Sequence, residues 1–186
     1  VRAGARGEDR ASANAQTTGA VIALQSAEES ARSAYSQAYT LAQDAIYAKV
    51  DDFFTDVYTV NPSFRMRSAS FDERQSVEAE RLAIGALLED WNTGTQQTVP
   101  LAELDSRLQQ AQSDLERIKA FLNKVSGFVS EQEVAEGLVT SEEKTAQEAV
   151  LLGARSSVDS ARGVISGART GLASARSGAQ VASLSE

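Results

Sequence analysis

Residues 158–179 read VDSARGVISGARTGLASARSGA, and the reading of this stretch decides the fold. Val158, Ala161, Ile165, Ala168, Leu172, Ala175 and Ala179 recur at alternating spacings of three and four, which puts them on one stripe of a helix. The same stretch carries Gly163, Gly167, Gly171 and Gly178, and glycine costs a helix interior about 1 kcal/mol relative to alanine. With Val158 at heptad position a, Gly163, Gly167 and Gly171 fall at f, c and g, off the stripe. Packing along the seam must therefore hold a helix whose own propensity is poor.

The seam needs a partner of similar slenderness, and the start of the chain offers one. Ala20, Leu24, Ala27, Ala31, Ala34, Ala38, Leu41 and Ala45 form a second heptad seam, also built mostly of alanine. Asp9 or Ser12 can cap this first helix, and no proline interrupts it before Asn61-Pro62, so a helix is expected to about Tyr58. Beyond Ala45 the inward residues grow: Ile46, Val50, Phe53, Phe54 and Val57 suit a thicker core. NPSFRMRSAS (61–70) reads as a loop, and a second helix is expected from Phe71 to Trp91. NTGTQQTV (92–99) is the next loop, with Pro100 in the first turn of a third helix. That helix carries the cleanest seam, Leu104, Leu108, Ala111, Leu115, Ile118, Leu122, Val125 and Val129. Thr140 or Ser141 followed by Glu143 starts the fourth helix, which runs to about Ser183.

At 1.5 Å per residue the expected helices measure about 75, 32, 45 and 63 Å. Short loops make sequential helices antiparallel neighbours, and the two middle helices can cover only the inner ends of the outer two. The expected fold is all-α: one helical domain, 1–186, with an antiparallel two-helix coiled-coil hairpin as a stalk (9–42 with 154–183) leading to a four-helix bundle (43–153).

Composition narrows the function. The net charge is −8, and histidine and cysteine are absent. An acidic chain lacks the basic footprint that phosphate backbones need, so nucleic acid is not expected as a partner. Without His or Cys there is no thiolate nucleophile, no ordinary zinc site and no Glu-x-x-His pair for a di-iron bundle. Asp51, Asp52 and Asp56 are expected to form a solvated face, and Glu142 and Glu143 to serve the dipole of the fourth helix. No pair of acids suggests a glycosidase cleft, no cofactor is implied, and an enzyme is not expected. No run of 18 apolar residues is present, so any membrane anchor would lie outside this chain.

Two sets of residues stand out as possible contact surfaces. Arg155, Arg162, Arg169 and Arg176 repeat every seven residues at position e. Either their stems shield the seam while their heads stay solvated, or they form a lateral interface with acids of a neighbouring subunit. The GxxxGxxxG run of Gly163, Gly167 and Gly171 is broken up by these arginines, against a membrane dimer motif. It marks a tolerant outer face, or one kept thin for neighbouring stalks. Phe64, Arg65, Met66, Arg67 and Phe71 either fold back to cap the bundle or form a tip that docks a partner, as arginine with aromatics suits interfaces.

VRAGARGEDRASANAQ (1–16) resembles the lead-in to the α-helical hairpin of membrane-fusion proteins, the periplasmic adaptors of the haemolysin-secretion type. Gly4, Arg6, Glu8 and Asp9 match, while Gly7 replaces the usual proline and Arg10 an apolar residue. SQAYTLAQDAIYAKVDDFFTDVYTVNPSF (36–64) looks like a helical insert in adaptor-like proteins, matching at Asp44, Ala45, Lys49, Val50, Asp51, Phe53, Phe54, Asn61, Pro62 and, further on, Trp91. DLERIKAFLNKV (114–125) and the run through Ala182 continue the resemblance.

The resemblance implies a non-enzymatic spacer and interaction element of an efflux or secretion transporter, extracytoplasmic and anchored through other parts of the parent protein. Its implied partners are the transporter complex and neighbouring adaptor subunits, in a homo-oligomer. The arginine–leucine–serine tip motif of that family is missing; Arg117, for example, is followed four residues later by Phe121. An adaptor domain is expected to lack a small-molecule pocket. The alternative is an extracytoplasmic four-helix-bundle sensor domain of a chemoreceptor-like protein, with membrane spans on both sides and a ligand pocket between subunits.

Overall fold

The computed structural model describes residues 2–57, 59–66, 70–97, 99–134 and 139–184, with backbone alone at 2–6, 9 and 101. The protein is all-α. Its helices are α1 (Arg2–Gln43), α2 (Phe71–Gln96), α3 (Leu101–Ser130) and α4 (Ser141–Leu184), and two-residue strands β1 (Phe54–Thr55) and β2 (Ser63–Phe64) pair antiparallel between α1 and α2.

The starts of α2 and α4 follow their caps. Ser70 Oγ accepts from the Glu73 amide at 3.4 Å while Glu73 accepts from the Ser70 amide at 2.8 Å, a closed capping box at α2. Thr140 and Glu143 repeat it at α4, with 3.1 and 2.8 Å. Pro100 sits at the N-cap of α3, one residue before the first turn where it was expected.

The seam of α3 is the centre of the core. Leu104, Leu108, Leu115, Ile118, Leu122, Val125 and Val129 are fully buried and Ala111 nearly so. Burying each of the larger aliphatic side chains contributes about 1.5–3 kcal/mol. On α4 the inward set is Leu151, Ala154, Val158, Ala161, Ile165 and Leu172. α1 lies chiefly against α4. Lys49 packs beside Gly153, Asp44 meets Ser157, and Ala27, Ser30 and Ala34 share a groove with Gly163, Gly167 and Gly171. Numbers rise along one helix as they fall along the other, so the two run antiparallel.

Four expectations about boundaries need correction. α1 already begins at Arg2, so positions 9 and 12, the expected caps, lie inside the helix. α1 does not run helically to Tyr58, a residue outside those described. It passes at Asp44–Lys49 into a π-helical turn and at Val50–Phe53 into a 3-10 turn. The wider π turn lets Ala45 and Ile46 as well as Val50 face inward. The chain then extends because Phe54 is drawn into an aromatic cluster, with ring centroids 5.1 Å from Phe64 and 6.3 Å from Phe121. Inside the expected loop 61–70, Ser63 and Phe64 form β2. α2 continues past Trp91 to Gln96, because Gly94 packs against Tyr35 and Thr95 Oγ1 donates to the Asn92 carbonyl at 2.7 Å.

α2 and α3 also reach further along the outer helices than expected. Arg32 Nε donates to the Val99 carbonyl at 3.3 Å, and Trp91 lies between Tyr35 and Tyr39 with centroids at 5.6 and 6.2 Å. These contacts fall inside the 9–42 segment that the seams assigned to two helices alone.

Candidate functional site

The arginine ladder turns inward along the chain's own α3. Arg155 Nη2 donates to Asn123 Oδ1 at 2.7 Å, Arg162 pairs with Glu116, and Arg169 Nη1 donates to Gln112 Oε1 at 2.5 Å. Arg162 also meets Asp159 at 3.2 Å, and Lys119 reaches Asp159 at 2.7 Å in the same antiparallel register. The heads of these three arginines are thus held within the chain. Arg176 lies on the same row, half-buried. Hydrogen bonding to Lys119 holds the Asp159 carboxyl below its usual range.

The first-loop residues divide. Phe64 and Met66 are core residues, 3% and 4% exposed, and Phe64 stacks edge-on against Phe128 at 5.6 Å. Arg65 and Phe71 are exposed, Phe71 to 73%. Arg67 lies outside the described residues. The loop caps the core with its apolar side chains and leaves Arg65 and Phe71 at the surface.

The aspartates were expected to form a solvated face, and Asp51 does not belong there. Its side chain is 8% exposed and accepts a bidentate pair from Arg81, itself 4% exposed, at 2.7 Å from Nε and 2.9 Å from Nη2. Arg81 sits on the inward row of α2, in line with Val77, Ile84, Leu88 and Trp91. Sequence reasoning missed this pair; the signal that could have found it is an arginine on an otherwise apolar row, which demands a buried acid. Asp52 and Asp56 are exposed. On the other side of the π turn, Lys49, Asp44 and Ser157 form a small polar cluster, with Ser157 Oγ donating to the Gly153 carbonyl at 3.2 Å.

Arg81 opens onto a groove of about 500 Å³ between the end of α1 and α2. Its walls are Tyr39, Tyr47, Pro62 and Leu82, and Glu89 and Asn92 lie along its α2 side. The Arg81 guanidinium lies over the Tyr47 ring, 5.3 Å from the centroid. Its Nη1 lies 3.1 Å from where a Cβ on Gly85 would stand, so the absent side chain makes room for it. Burial raises the Tyr39 and Tyr47 phenols above their ordinary range, Arg81 opposing the shift at Tyr47, so both are neutral donors at physiological pH. The hydropathy pattern carried no sign of this groove, because its two sides come from different helices.

Among the described residues no cluster of three metal-ligating side chains occurs, and no helix is long and apolar enough to cross a membrane. No family model matches the sequence, no curated protein matches it, and no solved structure matches its fold.

Proposed function

We propose that the chain is the helical-hairpin domain of a membrane-fusion adaptor of an efflux or secretion transporter, a non-enzymatic spacer and protein-interaction element. In this reading α1 and α4 form an antiparallel coiled-coil stalk and carry α2 and α3 in a four-helix bundle at its far end. The supporting observation is the long α1–α4 pairing, which brings the first residues of α1 and the last of α4 to one end. The parent protein would be anchored in the membrane and work outside the cytoplasm. Its partners would be the transporter complex and neighbouring subunits in a homo-oligomer. The internal bonding of Arg155, Arg162 and Arg169 moves the weight of the interaction surface away from them and towards the exposed tip at Arg65 and Phe71.

Site-specific photo-cross-linking from positions 65 and 71 of the parent protein, in cells, tests this. Capture of a transporter component or a neighbouring subunit is expected. Capture of neither, with membrane spans directly flanking the chain, overturns it in favour of a chemoreceptor-like sensor domain.

A further inference from the structure

We propose that the groove between α1 and α2 is a binding site for a small aromatic carboxylate. The inference rests on neither functional reading and runs against the expectation that an adaptor domain lacks a small-molecule pocket; it concerns the chain itself and is tested on it.

Departures from ordinary local structure converge on this groove. Gln43 and Tyr47 line it from the end of α1 and the π-helical turn, and π turns are rare and concentrate at functional sites. Val57 and Thr59 line it from the link after Asp56, which holds a left-handed φ of 56°. Arg81, which lines it, belongs to a buried ion pair with Asp51 that apolar residues of similar size would replace at little or no loss of stability. Gly85 stands mid-helix where alanine would favour the helix but crowd Arg81. Sequences break local rules in this concentrated way chiefly where a site is built.

The lining selects the ligand. Tyr39, Tyr47, Pro62 and Leu82 form flat and apolar walls, suited to an aromatic ring. Arg81 spends Nε and Nη2 on Asp51, and its Nη1 edge lies on the Gly85 side, where both residues line the groove. A carboxylate is the strongest acceptor for that edge. Asn92 and Gln43 add neutral amides. A cation is disfavoured, because Arg81 already lies over the Tyr47 face. The volume of about 500 Å³ falls within the range of about 300–1,000 Å³ usual for small-ligand sites. Glu89 lies two helical turns from Arg81 and opposes a second negative charge, so it limits affinity.

The test uses the whole chain, titrated with benzoate and 2-naphthoate. The readouts are ligand-observed NMR and the fluorescence of Trp91, whose ring packs on Tyr39. Saturable binding is expected, at least about tenfold tighter than for benzyl alcohol or acetate. Glu89→Gln is expected to tighten binding about two- to fivefold. Leu82→Trp, at a wall position 45% exposed, is expected to narrow the groove and weaken binding while the circular dichroism stays helical. No saturation below about 10 mM, a range weaker than specific recognition, overturns the proposal. So does equal binding of benzyl alcohol or acetate, or unchanged affinity in a folded Leu82→Trp variant. If Leu82→Trp does not fold, unchanged or weaker affinity in Glu89→Gln overturns it.

Discussion

Replacing Arg81 with methionine leaves the Asp51 carboxylate in the core without its guanidinium. The two side chains are 4% and 8% exposed and share two hydrogen bonds of 2.7 and 2.9 Å. Methionine keeps much of the apolar stem, so the loss is chiefly electrostatic. Removing one partner of such a buried pair costs about 3–5 kcal/mol, because the remaining charge is neither solvated nor paired. For a chain of this size each kcal/mol moves the thermal midpoint by about 2–4 °C, so the expected fall is about 6–20 °C. Urea denaturation, followed by helical circular dichroism and by fluorescence of the single tryptophan, measures it. The double variant Arg81→Met/Asp51→Leu removes both charges and is expected to match or exceed the native stability. A single-variant loss below about 1 kcal/mol would refute the reasoning, since it would mean that Asp51 finds water or another partner.

Gly94→Ala is expected to destabilise by about 1–3 kcal/mol, since its Cβ would stand 2.9 Å from the Tyr35 hydroxyl. Adding Tyr35→Phe removes the nearest clashing atom and should recover part of that loss in a double-mutant cycle. Replacing Gly163, Gly167 and Gly171 together with alanine meets nothing within 4 Å and should stabilise the chain by about 2–3 kcal/mol in urea. A loss there would show that the helix gains from the missing side chains. Burial, reinforced by Asp90, holds the Asp114 carboxyl above its ordinary value of 3.8, against a lowering hydrogen bond from Gln110. A folded-state pKa above the unfolded one means stability fully present below 3.8 and lost as pH rises through the folded value. Asp114→Asn should remove that loss, giving a flatter pH–stability curve that lies higher at neutral pH. A variant that keeps the native slope between pH 3.8 and 7 would contradict it.

Much of the architecture was legible because its signals are local. Helical periodicity and the capping pairs Ser70–Glu73 and Thr140–Glu143 act within a few residues, and each marks a helix start in the structure. The end of α1 was illegible for the opposite reason. Ile46, Val50, Phe53, Phe54 and Val57 keep helical spacing, and no breaker precedes Asn61-Pro62. What unwinds the chain is Phe54, which packs on Phe64 and on Phe121 of α3, residues far away in sequence. The candidate groove shows the same division. Neither Arg81 nor its acid was picked out by the apolar period of α2, since the pair is completed only by Asp51, 30 residues earlier.

The sequence by itself thus determined an all-α chain, the starts of α2 and α4 and the inward faces, because hydrophobic period and caps are properties of neighbouring residues. Tertiary structure alone decided where Arg155, Arg162 and Arg169 point. Their partners Asn123, Glu116 and Gln112 lie 32 to 57 residues away. It also placed Gly163, Gly167 and Gly171 along the open side of the α1–α4 pair, where each missing side chain leaves empty space. A heptad pattern specifies which stripe of a helix is buried. Which neighbour covers the flanks of that stripe depends on how far α2 and α3 extend along it, and packing between distant segments sets that reach.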